Sequence, residues 1–211
     1  MREGPLSLLV LDIGSSSVRS SLWDERGRSQ GEAAQLEHQA RSAPDGTAEL
    51  DPEALLDRVT QAIDAAMDGA PEIEAVATST FWHALLGLGA DGRPVTPVYS
   101  WADRRATAAA ARLRGELDED AVHARTGCRL HSSYWPAKLA WLREADPNRF
   151  ERVGTWVSPG EYVQRRLLGD AATSISMASG TGLLDQRTCR WDEELTRGIE
   201  ARLPPIDDTP R

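Results

Sequence analysis

The segment from Leu8 to Asp24 constrains this chain more than any other. A short apolar run, Leu8-Leu9-Val10-Leu11, leads to Asp12, Ile13 and Gly14, and Ser15, Ser16 and Ser17 follow. Beyond them Val18, Ser20 and Leu22 alternate with Arg19, Ser21 and Trp23. Alternation with a period of two marks a strand. The segment is expected to form a strand, a tight hydroxyl-rich turn and a second strand returning beside the first. Two common phosphate loops are excluded. A Walker loop needs Gly-Lys-Ser/Thr before a helix, and a dinucleotide fingerprint needs spaced glycines opening one. A bent backbone with free N–H groups can still hold phosphate oxygens, and a nearby carboxylate can hold a metal ion or its waters. The same residues also describe an ordinary hairpin with a polar turn. The segment alone does not choose between the two.

Further along, strands are expected near 28–37, 73–78, 84–88, 95–99 and 153–157. The strand at 73–78 reads as buried. Glu25-Arg26-Gly27 reads as a turn. Asp51 and Pro52 stand where an N-cap and a first helical residue belong. Leu55, Leu56, Val59, Ile63, Ala66 and Met67 follow at helical spacing, so 52–68 is an amphipathic helix. Helices are also expected over 102–115, 118–125, from Pro136, over 159–168 and near 191–198. The Pro- and Asp-rich end, 203–211, reads as a linker. A three-strand meander followed by alternating helices and strands gives a mixed sheet with flanking helices, an α/β arrangement. It is compatible with the ribonuclease-H-like half of the actin/hexokinase ATPase superfamily, which periodicity alone does not single out.

Composition narrows the partners. A net charge of −9 over 211 residues argues against a nucleic-acid surface and against an anionic membrane. The apolar stretch 6–11 is too short to span a bilayer. Cys128 and Cys189 form neither a metal-ligand spacing nor a disulfide framework, which fits a reducing cytoplasm.

Several blocks taken in order resemble the FGGY family of carbohydrate kinases. The first is Asp12-Ile13-Gly14-Ser15-Ser16-Ser17-Val18-Arg19. Ala48-Glu49-Leu50-Asp51-Pro52-Glu53 is the second. Phe81-Trp82-His83-Ala84 and then Trp101-Ala102-Asp103-Arg104-Arg105 form the third. Pro136-Ala137-Lys138-Leu139-Ala140-Trp141 is the fourth, and Ser176-Met177-Ala178-Ser179-Gly180-Thr181-Gly182 the fifth. The resemblance covers nearly the whole chain and leans toward the gluconokinase-like and xylulokinase-like members.

The resemblance implies transfer of the ATP γ-phosphate to a hydroxyl of a sugar or sugar acid, gluconate-like by preference. It implies residues 1–202 as an N-terminal sugar-binding domain and 203–211 as a linker toward an absent C-terminal nucleotide-binding domain. The family's catalytic base would lie beyond Arg211, so this chain alone is expected to be inactive. Asp12 would hold Mg²⁺ near the transferred phosphate. Gly14, Ser15, Ser16, Ser17 and Arg19 would serve ATP, with Arg19 standing where many members carry lysine. Phe81, Trp82, His83, Trp101 and Asp103 would line the substrate site, although Phe81 replaces a residue that is commonly polar.

Plainer roles compete at several positions. Arg104 and Arg105 read as solvated, Lys138 as a snorkelling helix lysine, Trp141 and Trp156 as core, and Gly180–Gly182 as a turn. The half-fold also fits a non-catalytic sugar-binding or regulatory module, or a different actin-like ATPase. A surface normally covered by a second domain also leaves self-association as a homodimer open.

Overall fold

The computed structural model describes residues 7–69 and 72–209. In chain order its elements are β1 (Ser7–Ile13), β2 (Ser17–Asp24), β3 (Ala34–Glu37), β4 (Arg41–Ser42), β5 (Ala48–Leu50), α1 (Pro52–Met67), β6 (Ala75–Thr80), β7 (Leu86–Leu88), β8 (Val98–Tyr99), α2 (Thr107–Glu116), α3 (Glu119–Thr126), α4 (Trp135–Ala145), α5 (Pro147–Arg152), β9 (Thr155–Val157), α6 (Pro159–Leu168), α7 (Ile175–Ser179), β10 (Leu184–Asp185), β11 (Arg190–Trp191) and α8 (Glu193–Ile199). They divide into two compact units. One comprises the chain up to Ala40 together with Asp51–Phe81, and the other Arg41–Leu50 together with everything from Trp82 onward.

The first unit is a four-stranded sheet in the order β3-β2-β1-β6 with α1 packed on it. β1 runs antiparallel to β2 and parallel to β6. Three meandering strands, a helix and a fourth strand parallel to the first make the ribonuclease-H-like arrangement that the sequence suggested. Leu9, Leu11 and Ile13 alternate into the core, where α1 presents Leu55, Leu56, Val59 and Ala62. The helix starts as expected, with the Asp51 carboxylate accepting from the Glu53 and Ala54 amides, a cap that contributes about 1 kcal/mol.

Two expectations change in this unit. The third strand covers only 34–37, because Asp24 accepts from the Arg26 and Arg28 amides and folds 25–28 into a side-chain-capped turn. The strand expected at 73–78 forms as β6, but most of it is exposed, Val76 at 55 %. α1 lies over β1, β2 and β3, and β6 pairs only with β1 among the described residues.

The second unit packs helices and short strand pairs around Leu85, Tyr99, Trp135, Leu139, Trp156 and Leu183. β7 pairs with β9, and β5 with β8. α2 approaches α4 closely through Ala106, Ala110 and Ala137. The helix expected from 102 begins only at Thr107, since 103–105 are committed to a buried ion cluster described below. The stretch expected as a linker is hydrogen-bonded to its unit as far as Asp208. The Thr173 amide donates to Pro205 O, Asp207 N to Thr173 O, Trp191 Nε1 to Pro204 O and Ile175 N to Asp208 Oδ1. The tail is therefore stitched to its unit. No described helix is long and apolar enough to cross a membrane.

Candidate functional site

In the first unit the β1–β2 register places Asp12 opposite Arg19 and Ile13 opposite Val18. That leaves Gly14, Ser15 and Ser16 to make the turn, closed by Gly14 N–H donating to Ser17 O at 2.8 Å. A Cβ on Gly14 would lie 3.0 Å from that oxygen, which explains the glycine. The hydroxyls and amides of Ser15 and Ser16 make no hydrogen bond among the described residues. These two residues are accessible, whereas Ser17 is buried and contributes its carbonyl to the turn.

Asp12 is half-exposed and meets Arg19 Nη1 at 3.2 Å. Arg19 Nε donates to Gln35, so this guanidinium is aligned along the sheet beside the carboxylate. Among the described residues no three His, Cys, Asp or Glu side chains gather to hold a metal. A single carboxylate suits Mg²⁺, which keeps several waters and takes phosphate oxygens. It does not suit an all-protein cage.

His38 was not anticipated. Its amide donates to Ser16 O at 2.9 Å, and its Nε2 lies 3.0 Å from Gly14 O. A carbonyl only accepts, so Nε2 carries the proton, and Nδ1 is left buried and unpartnered. His38 braces both ends of the turn, Gly14 with its imidazole and Ser16 with its amide. Burial pushes its pKa down, against the opposing bond to Gly14, and the Arg58 charge pushes it further down. A histidine depressed in the folded state contributes stability that is full above the unfolded pKa and is lost as pH falls through the folded one. Between about pH 7.5 and pH 5 the unfolding midpoint of His38→Gln is expected to drop less than that of the wild type, as thermal melts in matched buffers would show. Equal drops would mean that His38 is not the group that titrates.

In the second unit the chain turns sharply at His83, which takes the left-handed region at φ 65°. Non-glycine residues are uncommon there. His83 Nδ1 donates to Gly180 O at 2.5 Å, which leaves Nε2 as an acceptor. Burial lowers its pKa, against the opposing hydrogen bond to Gly180, and the Lys138 and His131 charges lower it further. Tyr134 stands edge-on to the imidazole at 4.7 Å and Trp82 at 6.0 Å. Gly180 is required by contact, since a Cβ there would lie 2.9 Å from the Trp82 ring. The Gly180–Gly182 turn is thus also the floor under Trp82. Trp82 and Trp101 are 45 % and 49 % exposed, which is unusual for such large apolar side chains in a packed unit.

Asp103, expected to line the substrate site, is tied into an ion cluster. It is 1 % exposed, and its carboxylate accepts from Ala48 N and from Arg105 Nε and Nη2. Arg105, expected to be solvated, also donates to Glu49 and lies over the rings of Tyr99 and Trp141. Burial opposes its charge, but the hydrogen bonds and charges of Asp103 and Glu49 outweigh burial and hold its pKa above the usual value. The pair pins the corner that carries Trp101. Phe81 ends the first unit, its amide donating to Ile13 O.

Two further residues of this cluster were missed. Tyr134 sits at the N-cap of α4, where an aromatic residue gives no capping signal. Lys138 is not a snorkelling lysine: it is 1 % exposed, and Nζ donates to His83 O and Ser133 O.

The described residues thus offer a hydroxyl-rich turn beside a single carboxylate in one unit and an aromatic cluster around His83 in the other. Residues 7–207 match the model of the "FGGY family of carbohydrate kinases, N-terminal domain", and the chain belongs to that family. It is 28 % identical over 195 residues to the gluconokinase of Bacillus subtilis, covering 90 % of this chain and 37 % of that protein. It is 32 % identical over 209 residues to the xylulose kinase of Streptomyces coelicolor, covering 97 % and 43 %. Among solved structures, the gluconate kinase of Lactobacillus acidophilus superposes with a TM-score of 0.91 at 27 % identity, over 97 % of this chain and 42 % of that one. The chain therefore spans less than half the length of these relatives.

Proposed function

We propose that this chain is the sugar-side part of an ATP-dependent kinase that phosphorylates a hydroxyl of a polyol, sugar or sugar acid, with gluconate the first candidate. The observation that carries the reading is His83: its Nδ1–H is committed to Gly180, so Nε2 is left to accept from a hydroxyl, with Tyr134 and exposed Trp82 beside it. Flat apolar rings pack on the C–H faces of a polyol while a fixed acceptor reads one hydroxyl. A site that pairs with a hydroxyl discriminates strongly against compounds lacking it. Arg104 is exposed and makes no ion pair among the described residues three positions from Trp101, which suits a carboxylate-bearing substrate.

On the phosphate side, the Ser15 and Ser16 donors hold and orient phosphate oxygens. Asp12 would hold Mg²⁺ through its waters, with Arg19 keeping the carboxylate in place; bound with ATP, that ion would supply the charge neutralisation that phosphoryl transfer mainly requires. In this reading the base that accepts the hydroxyl proton belongs to a further domain, and the cell compartment is the cytoplasm.

Purified as it stands, the chain is expected to quench its tryptophan fluorescence on titration with gluconate, xylulose or glycerol, and to form no sugar phosphate with Mg-ATP. Saturable quenching without turnover supports the reading. Turnover in a preparation free of other kinases would place the base within these residues. Because the chain spans under half of its relatives, a non-catalytic sugar-binding module remains the second reading. Phosphorylation of the bound sugar once the domain is joined to a C-terminal partner would exclude it.

A further inference from the structure

We infer that Lys138 is a positioning residue for the hydroxyl-binding cluster: its ammonium fixes the backbone of His83 and of the Ser133–Tyr134 corner and, through Ser133, that of Trp101. The inference deepens the functional reading above and rests on it.

Lys138 lies in the first turns of α4, where the helix dipole disfavours a cation. It makes no ion pair among the described residues, since the nearby Asp103 carboxylate is taken up by Arg105. A buried cation without a partner ion is costly. Packing alone would be served better by methionine or leucine of similar volume. What the ammonium does is specific. Nζ donates to Ser133 O at 2.6 Å and to His83 O at 3.1 Å. Neither carbonyl lies in a helix or strand, and His83 holds a left-handed conformation that costs on the order of 1 kcal/mol unless its surroundings enforce it. Ser133 Oγ then donates to Trp101 O at 2.8 Å. The Tyr134 ring packs on the His83 ring. One buried charge thus ties together the three irregular segments that carry Trp82 and His83, Trp101, and Tyr134.

The charge on Lys138 gives this role a signature. Burial pushes its pKa down to about 7, with the Asp103 charge opposing. The ionisable groups around it are Asp103 with Arg105 and Glu49 behind, His83 with His131 beyond, and Tyr134. Below that pH the two bonds are charge-assisted; above it a neutral amine makes weaker ones. Global stability moves the other way. Between the folded value of about 7 and the unfolded 10.5 only the unfolded chain holds the proton, so stability rises with pH. Rising stability with a loosening site is not what a packing residue produces.

The test compares the chain with Lys138→Met. In ¹H–¹⁵N spectra the Trp82 and Trp101 indole resonances of the variant are expected to shift or broaden, while that of the core Trp156 stays. Affinity for whichever of gluconate, xylulose or glycerol binds the wild type is expected to fall about tenfold or more. Superimposable indole resonances, or affinity within about twofold, would overturn the inference. If none of the three compounds binds the wild type, the functional reading fails, and the indole comparison alone still decides the role of Lys138. If the variant does not fold, the wild type is titrated from about pH 6 to pH 9. Trp82 and Trp101 resonances moving with a midpoint near 7 support the role, and flat ones overturn it.

Discussion

Asp12→Asn lowers kcat on the order of 10²-fold or more when this domain is joined to the C-terminal part of a family kinase, and it leaves the affinity for the hydroxyl substrate unchanged. The carboxylate stands at the end of β1, half-exposed beside an open turn, and belongs to a different unit from the aromatic cluster. In the proposed function it would orient the waters of a metal ion bound with the nucleotide, an interaction that matters when charge shifts on the transferred phosphoryl group. Asparagine keeps the shape and removes the charge. Steady-state kinetics with the sugar and Mg-ATP varied in turn check this, beside fluorescence titration of the chain alone. An effect confined to the KM of the sugar would overturn the assignment. Folding should not intervene, because an exposed pair such as Asp12–Arg19 contributes only about 0–1 kcal/mol.

Arg105→Met is expected to destabilise the second unit by about 3–5 kcal/mol. The guanidinium satisfies Asp103, which is buried, and Glu49, whose side chain is 11 % exposed. Removing it leaves two carboxylates close together with no cation between them. It also removes the stacking over Tyr99 and Trp141. Glu49 retains Arg41, a largely exposed partner that compensates little. Since the deficit is uncompensated charge, Arg105→Met combined with Asp103→Asn and Glu49→Gln should recover most of the loss. Denaturant unfolding of the three chains decides it. A single variant as stable as the wild type would mean that the cluster is not the anchor of the Trp101 corner.

The turn between β1 and β2 was legible because every signal in it is local. Glycine, serines and strand alternation act within ten residues of one another, and the register follows from the turn. The start of α1 was legible for the same reason. The aromatic cluster around His83 was only partly legible. Trp82, His83 and Trp101 stand out as aromatic and imidazole groups in irregular chain. The burial of Asp103 and Arg105 was not legible because it depends on the Ala48–Glu49 segment, more than fifty residues away, which donates the Ala48 amide to Asp103 and offers the Glu49 carboxylate to Arg105. His38 was missed and Lys138 was read as a snorkelling lysine because each acts through backbone carbonyls, Gly14 and Ser16 in one case and His83 and Ser133 in the other. Carbonyls carry no side-chain signature.

By itself the sequence determined the hairpin, the helix that follows it, the mixed α/β class and the family, since these rest on periodicity, caps and an ordered set of local motifs. Tertiary structure alone decided which polar groups are open and which are spent. Ser15, Ser16, Trp82 and Trp101 are accessible, while Ser17, Asp103 and Lys138 are buried. The physical reason is that hydrogen bonds and ion pairs between distant segments choose their partners only after the chain has packed, and the cost of burying an unpaired polar group makes that choice binding.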